Sequence, residues 1–398
     1  MKVSIHQHHA DFITDHKHLT LFLTGSIFPK ENIANITNVF LEGDYLPEKH
    51  RVIGVYRAEF SEQHVEILNR SEMLKCWFDS ELHFSFIDKP CELQIYNQEN
   101  ILKRFNETSI RNKSVCLIGC GSWGSTVASN LVKSGLGAIT LLDFDRLSPS
   151  NLSRHELNSN HLNRKKNVAL ASELKAINPT LETQVYDDIF ELNTSEIDRV
   201  FSDCDLIINL TDNILTASKC NEYSYFFNIP FIDGGSYIGS SCGEISYYLP
   251  KDSEASQKLE ISTPCWDCTN PSSITKNVDH VDYDDPNANP YITPANNGLA
   301  VDVAIGSSLL SAIALSLLQP ENIHRKLALS KRPNSNVLYF NTGKLPSLED
   351  EIIYFFLERL NTPFNIIRKS SFDKKEIDTS NCMVCGGASL ETALDFGA

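Results

Sequence analysis

The pattern of apolar and polar positions changes near residue 113 of the chain. Before it, short apolar-rich segments at 19–23, 51–56 and 82–87 alternate with polar breaks, which predicts a small α+β domain. After it, nearly continuous apolar runs typical of buried parallel strands alternate with helical patterns. We therefore expect two domains, residues 1–108 and residues 109–398.

The second part contains four strand-like runs, at residues 114–118, 138–143, 205–210 and 230–233. Helical patterns lie between them, at 125–134 and at 168–177, where Pro179 prevents continuation. Alternating strands and helices predict an α/β fold with a doubly wound, Rossmann-like, mostly parallel sheet. A further strand at 243–249 precedes a polar segment at 270–297 that holds ten Asp and Asn residues.

An apolar segment at 299–318 is long enough to span a bilayer. Its Gly306, four serines and four alanines favour close packing in a protein core instead, and they would also permit a homodimer interface. The N-terminus has no apolar run of signal-peptide length. We therefore expect a cytoplasmic protein with no membrane partner.

The charge balance and the cysteines limit the possible partners. Lys plus Arg is 35 and Asp plus Glu is 51, a formal charge of −16, which argues against a nucleic-acid partner. Eleven cysteines without a secretory signal argue against disulfides. Pairs at Cys-x-x-Cys spacing indicate metal or redox chemistry.

A glycine motif, Gly119-x-Gly121-x-x-Gly124, stands between the first strand and the first helix of the second part. The three glycines allow a tight turn, close approach of phosphate, and helix-to-strand packing. The helix N-terminus then offers N–H groups to an anion. Asp143 ends the next strand, where its carboxylate can bind ribose hydroxyls. By itself this motif would also fit an NAD enzyme.

Polar residues beyond the strand ends favour a triphosphate. Asp145 is followed by Asn151 and Arg154, and an arginine can neutralise charge on phosphate. Asp212 and Asn213 follow the strand at 205–210, where a carboxylate can hold Mg²⁺. The alternatives are a solvated loop for the first group and an ordinary turn for the second.

Two cysteine pairs, Cys265 with Cys268 and Cys382 with Cys385, provide four thiolates for tetrahedral zinc. Four sulfur ligands leave no position for water, so we expect a structural Zn²⁺ that ties the C-terminal tail to the domain. Redox activity is the alternative.

In this order the motifs resemble the ThiF/HesA/MoeB superfamily, which includes ubiquitin-activating enzymes. The resemblance covers residues 112–386 and rests on Gly-Cys-Gly-Ser-Trp-Gly-Ser, Leu-Leu-Asp-Phe-Asp, Ser-Asn-Leu-Ser-Arg, Ile-Asn-Pro, Thr-Asp-Asn and the Cys-x-x-Cys pairs. It implies an adenylyltransferase that binds ATP and Mg²⁺ through Asp143, Asn151, Arg154 and Asp212.

Two features depart from the family pattern. The family lysine that reaches the phosphates falls on Asn167 without a gap, so we assign its role to Lys166. The arginine that precedes the first strand in the family has only Arg104 as a substitute.

No cysteine lies at residues 269–381, where thioester-forming members usually carry one. The corresponding segment, Tyr291-Ile-Thr-Pro-Ala-Asn-Asn-Gly298, resembles the peptide-adenylating, microcin-type branch, whereas Ser-Arg-His after Asn151 resembles activating enzymes of bacterial ubiquitin-like operons. The thiols nearest the site in sequence are Cys120, Cys220 and Cys242.

The leading hypothesis is an enzyme that joins AMP to the C-terminal carboxylate of a peptide or small ubiquitin-like protein. Arg154, Lys166 and Asp212 are the expected catalytic residues. The expected nucleotide-binding set is Gly119, Gly121, Gly124, Asp143, Asp145, Asn151, Arg154, Lys166, Asp212 and Asn213. Residues 1–108 would form a substrate-recognition or accessory domain. The alternatives are a thioester-forming activating enzyme, a non-catalytic nucleotide-binding scaffold and, more distantly, an NAD-dependent dehydrogenase.

Overall fold

The computed structural model describes part of the chain, and all that follows concerns these residues: 2–16, 19, 21–28, 30–41, 52–56, 74–78, 82–86, 89–96, 110–236, 240, 242–261, 263–270, 298–322, 336–342, 366–369, 382, 384 and 385. Arg104 and the acidic segment at 271–297 lie outside them. The chain divides into two compact units, Met1–Glu107 with Ala176–Thr180, and Thr108–Lys175 with Leu181–Ala398.

The first unit is built on a mixed eight-stranded sheet of order β7-β6-β5-β4-β2-β3-β1-β8. One described helix, α1 (Gln7–Asp15), contacts β1, β3 and β8. The core includes Ile5, Ile13, Leu23 and Ile36, each at most 1% exposed. The strands are β1 (Lys2–His6), β2 (Leu21–Phe28), β3 (Ile33–Leu41), β4 (Val52–Tyr56), β5 (Leu74–Phe78), β6 (Leu82–Phe86), β7 (Lys89–Pro90) and β8 (Glu92–Tyr96).

The second unit contains the predicted parallel sheet. Its strand order is β11-β10-β9-β12-β13-β14-β15-β16, in which the first five strands are parallel and the last three are antiparallel. The strands are β9 (Ser114–Ile118), β10 (Ala138–Leu142), β11 (Glu182–Tyr186), β12 (Leu206–Asn209), β13 (Phe231–Ser236), β14 (Cys242–Tyr248), β15 (Val337–Asn341) and β16 (Ile366–Lys369). Strand order reverses between β9 and β12, the place where ligands bind in open α/β sheets.

Helices connect these strands and cover the sheet. They are α2 (Ser122–Lys133), α3 (Lys166–Ile177), α4 (Thr194–Phe201), α5 (Ile214–Phe227), α6 (Glu254–Leu259), α7 (Trp266–Thr269) and α8 (Ala300–Leu318). The parallel strands β9, β10 and β12, which pair on both sides, are mostly apolar and buried. This explains why a simple apolar run identified them in the sequence.

The fold class is confirmed, with two local differences from the predicted elements. Strand β11 was not predicted, because it is an edge strand whose residues are mostly polar and none is buried. Strand β13 continues past the predicted end at Asp233, since Gly234 and Gly235 still pair with Ile245 and Glu244 of β14. The two glycines therefore continue the β-ladder between β13 and β14.

Helix α8 is the segment whose length and composition would also suit a membrane span, and 67% of its most apolar 18-residue window is buried inside the protein. It packs on α2, β13 and β14. Gly306 permits this contact, because a Cβ atom there would collide with the Trp123 ring and lie 2.6 Å from Phe340. Helix α2, which follows the glycine motif, is thus held in position by its packing against α8.

We expect Gly306→Ala to lower the free energy of unfolding by about 1–3 kcal/mol, the usual cost of overpacking a core. The measurement is chemical denaturation monitored by circular dichroism. Gly235→Ala is the matched control, because a Cβ atom there meets nothing within 4 Å. Equal stability of the two variants would contradict the tight contact between α2 and α8.

Candidate active site

The glycine turn joins β9 to α2 at the reversal point of the sheet. Gly119 has φ +91°, and a Cβ atom there would lie 2.7 Å from the carbonyl oxygen of Leu210, just after β12. A Cβ atom on Gly124 would collide with the carbonyl oxygen of Gly119. Two of the three glycines are therefore required by close backbone contacts. A Cβ atom on Gly121 meets nothing within 4 Å, so the space before the helix is open.

Helix α2 begins at this open space with Gly121 as its N-cap, and no side chain caps it. The first turn of a helix carries N–H groups that lack acceptors within the helix. Together with the positive end of the helix dipole, they make a site for an anion such as phosphate.

Asp143, directly after β10, is hydrogen-bonded to the glycine turn. One of its carboxylate oxygens accepts the N–H of Cys120 at 2.7 Å, and the other accepts the N–H of Asp145 at 2.8 Å. Burial raises the pKa of Asp143, and the neighbouring Lys166 ammonium opposes that rise. The carboxylate predicted to bind ribose thus lies beside the predicted phosphate turn.

Three successive residues at the start of α3 have different partners. Lys165 forms an ion pair with Asp187, and Asn167 donates to the carbonyl oxygen of Tyr186 at 2.8 Å. Lys166 is only 8% exposed, and its Nζ lies 2.8 Å from a carboxylate oxygen of Asp145. Of these three residues, Lys166 is therefore the one that pairs with an acidic residue beside the glycine turn.

The loop after β10 carries Asn151 and Arg154. A 3₁₀ helix at Pro149–Ser153 is stabilised by the Asn151 side chain, whose oxygen accepts the N–H of Ser148 at 3.1 Å. Arg154 follows this helix, is half-buried, and donates from Nη1 to the carbonyl oxygen of Ser150 at 3.1 Å. Both side chains are thus ordered by their own loop.

His155 connects that loop to the glycine turn, a role that the sequence did not reveal. Its Nδ1 accepts the N–H of Leu157 at 3.0 Å, so Nε2 carries the proton and donates to the carbonyl oxygen of Cys120 at 2.8 Å. Burial lowers the pKa of His155 to about 4, which keeps the ring neutral. The sequence signal was only a histidine directly after Arg154.

The end of β12 supplies the second group of predicted residues. Asp212 is exposed at the carboxyl edge of the sheet, where a carboxylate is a suitable ligand for Mg²⁺. The Asn213 oxygen caps α5 by accepting the N–H groups of Leu215 and Thr216 at 2.9 and 3.2 Å. Asn213 therefore fixes the helix that follows Asp212.

Asp233, at the neighbouring position on β13, is a further acidic group that the sequence interpretation missed. It accepts the side-chain N–H of Asn209 and the indole N–H of Trp266, both at 2.8 Å. Burial raises the pKa of Asp233 to about 6, and Asp212 adds to that rise. Nothing in its local sequence, Ile-Asp-Gly-Gly, signalled this role.

The four predicted metal-ligating cysteines come together although the two pairs are far apart in sequence. All four sulfur atoms lie within 4.8 Å of one another, with Cys265 and Cys382 at 3.6 Å and Cys268 and Cys385 at 3.5 Å. Ligands of tetrahedral zinc at about 2.3 Å are about 3.8 Å apart, so the donor set fits zinc. A hydrogen bond from Cys265 lowers the pKa of Cys385, whereas the same bond and burial raise the pKa of Cys265, and burial raises that of Cys268.

The other thiols near the site are poorly suited to nucleophilic attack. Cys120, Cys220 and Cys242 are each at most 3% exposed. Burial raises the pKa of Cys120 and of Cys220 well above the ordinary value. A thiol that remains protonated and shielded is a weak nucleophile.

Between pH 6.5 and 4 we expect wild-type protein to lose stability, because unfolded His155 binds a proton that the folded form excludes. His155→Gln cannot take up this proton. Between pH 6.5 and 4 its free energy of unfolding should therefore fall by about 2 kcal/mol less than that of wild type. Denaturation midpoints at several pH values would measure it. His16→Gln, in the first unit, is the control, and identical pH profiles for wild type and His155→Gln would contradict a buried neutral ring.

Metal analysis should find about one zinc per chain. Cys382→Ser should lose the zinc and lower the melting temperature, since the cluster would lose one of its four ligands. Cys204→Ser, at a buried thiol outside the cluster, should lower stability but retain zinc. A wild-type protein without zinc would overturn this assignment.

Residues 96–350 match the model of the ThiF family. Molybdopterin-synthase adenylyltransferase of Escherichia coli K12 is 27% identical over 181 residues, which cover 44% of this chain and 68% of that protein. Adenylyltransferase and sulfurtransferase MOCS3 of Caenorhabditis briggsae is 26% identical, covering 42% and 40%. Ubiquitin-like modifier-activating enzyme 5 of Drosophila melanogaster is 25% identical, covering 47% and 46%. The chain thus spans less than half the length of the last two.

A similar solved structure is that of E. coli MccB with ATP, with a TM-score of 0.47 and 18% identity over 70% of this chain and 68% of that one. The named relatives are adenylyltransferases and a modifier-activating enzyme, the enzyme class that the sequence predicted. Because the family model matches well over half of its residues, the chain belongs to the ThiF family.

Proposed function

We propose that this protein is an ATP-dependent adenylyltransferase that activates the C-terminal carboxylate of a peptide or small ubiquitin-like protein as an acyl adenylate. The observation that carries the proposal is the group of contacts around the glycine turn. Asp143 and His155 both bind the backbone of Cys120, and Lys166 pairs with Asp145 beside them. A phosphate-binding helix start, a buried cation and a carboxylate therefore meet at one edge of the sheet.

The residues at this edge fit the parts of ATP. The α2 N-terminus, Lys166 and Arg154 would hold the phosphates, with Asn151 as a further donor, and Asp143 and Asp145 would bind the ribose. Lys166 is paired with Asp145, whose side chain is 54% exposed. An exposed partner binds weakly, so a triphosphate can compete for the lysine.

Magnesium would be held by Asp212 at the end of β12, with Asn213 fixing the helix beyond it. When bound, the ion neutralises charge on the triphosphate and assists departure of pyrophosphate. Asp212 and Asn213 both follow β12. This strand pairs with β9, and β9 ends at the glycine turn.

The proposed reaction is a direct displacement. A substrate carboxylate oxygen forms a bond to the α-phosphorus, the bond from that phosphorus to the bridging oxygen breaks, and pyrophosphate leaves with its electrons. A C-terminal carboxylate is already ionised at neutral pH, so no general base is needed. Catalysis then rests on positioning and on charge stabilisation by Arg154 and Lys166.

The buried thiols support a reaction that stops at the adenylate or passes it to another acceptor. A thioester on Cys120, Cys220 or Cys242 would require the substrate to reach a sulfur atom that is at most 3% exposed. The burial of Lys166 next to Asp145 also speaks against an inactive scaffold. We further propose that the first unit recognises the substrate, and that the enzyme is a cytoplasmic homodimer.

ATP–pyrophosphate exchange tests the proposal, with candidate peptides or ubiquitin-like proteins from neighbouring genes as substrates. We expect Asp212→Ala to abolish exchange while circular dichroism stays unchanged. Lys166→Ala should reduce exchange by about 10²–10³-fold, the usual effect of removing one charge-stabilising donor.

Lys165→Ala is the matched control, because that neighbouring lysine pairs with Asp187 and should leave exchange near wild type. Near-normal exchange by Asp212→Ala would remove Asp212 from the mechanism. Stabilisation of the protein by NADH but not by Mg·ATP would favour a dehydrogenase instead.

A further inference from the structure

Trp266 lies inside the first cysteine pair, between Cys265 and Asp267. It is 5% exposed and packs in the core formed around α5, β13 and β14. Its indole N–H donates to the carboxylate of Asp233 at 2.8 Å. A segment expected to bind zinc thus contacts an acidic residue at the carboxyl edge of the sheet.

The hydrogen bonds continue from Asp233 to the turn that carries Asp212. Asn209 donates its side-chain N–H to Asp233 at 2.8 Å. Its side-chain oxygen accepts the hydroxyl of Thr211 at 2.8 Å and the N–H of Thr211 at 3.3 Å. The Thr211 hydroxyl oxygen in turn lies 3.4 Å from the N–H of Asn213. We call this series of hydrogen bonds, from Asp233 to Asn213, the relay. It holds the backbone on both sides of Asp212.

The chemistry of the groups gives the relay one direction. An indole N–H can only donate, and an ionised carboxylate can only accept. Asn209 must therefore present its amide nitrogen to Asp233 and its oxygen to Thr211. Asn209 is fully buried, so it has no water with which to exchange these partners.

A second connection joins the same cysteine segment to α5, the helix that starts after Asp212. The side-chain oxygen of Asn221 accepts the backbone N–H of Trp266 at 3.0 Å, and the Ser218 hydroxyl donates to Asp267 at 3.1 Å. The segment between the cysteines is thus fastened to the elements before and after the Asp212 turn.

We propose that Trp266 is a positioning residue, through which the cysteine-bound segment sets the geometry of the Asp212 turn and so the affinity for magnesium with ATP. This inference rests on the proposed function. It assigns to the metal cluster an influence on the nucleotide site as well as a stabilising role.

The test is a titration of nucleotide binding with Mg²⁺, using purified full-length protein, ATP and calorimetry. Trp266→Phe keeps an aromatic ring but removes the N–H donor. We expect the Mg²⁺ concentration for half-maximal binding to rise about 10-fold or more, the usual effect of losing an outer partner of a metal site. Zinc content and ATP binding measured in EDTA should stay near wild type.

Tyr225→Phe is the matched control. It removes a hydrogen bond of similar length, 2.9 Å to the carbonyl oxygen of Thr263, next to the same cluster but not directed to Asp212. Its Mg²⁺ dependence should equal that of wild type. Equal weakening in Tyr225→Phe and Trp266→Phe would show a general structural effect and overturn the proposal.

If Trp266→Phe loses zinc or unfolds, Asp233→Asn replaces it as the test variant. It should show the same rise in the Mg²⁺ requirement with zinc retained. If a folded, zinc-containing variant has the same Mg²⁺ dependence as wild type, the proposed role of the relay is wrong. Failure of the wild-type protein to bind Mg·ATP would instead overturn the proposed function.

Discussion

The close approach of two backbones at the reversal point of the sheet is the constraint on which the site depends. Gly119 leaves β9 with a positive φ and touches the backbone of Leu210, where β12 ends. This contact brings the glycine turn and the Asp212 turn to the same edge. Any side chain at Gly119 would separate them, and the proposed phosphate site at the start of α2 would lose its neighbouring acidic group. Asp143 and His155 add hydrogen bonds, and Lys166 adds an ion pair, around this contact between the two backbones.

Much of the second unit could be predicted because its central strands β9, β10 and β12 are largely buried. A short apolar run followed by glycine or aspartate gave the positions of β9, β10, β12 and β13 to within a few residues. The edge strand β11 was missed, since an exposed edge tolerates polar residues and leaves no apolar run. The first unit gave fewer signals, and its pairing of β1 with both β3 and β8 could not be foreseen from pattern alone.

The site was predictable where a motif has fixed chemistry, and not where a role depends on distant partners. The glycine turn and the cysteine pairs are local spacings, so the sequence indicated them directly. Asp233, His155 and Trp266 gain their roles from residues 20 or more positions away, such as Asn209 and Cys120. Lys166 was assigned from the sequence although the ungapped position falls on Asn167, but its pairing with Asp145 and the bond from Asn167 to Tyr186 could not be read from the sequence.

The cysteine cluster also has a topological consequence. A metal shared by Cys268 and Cys382 would convert residues 269–381, which include α8, β15 and β16, into a closed ring of chain. In the unfolded state such a ring has far fewer conformations than an open chain, and for a disulfide closing a loop of this size the corresponding gain is about 4–5 kcal/mol. A cut in that ring would therefore leave two fragments of the chain still joined through the metal.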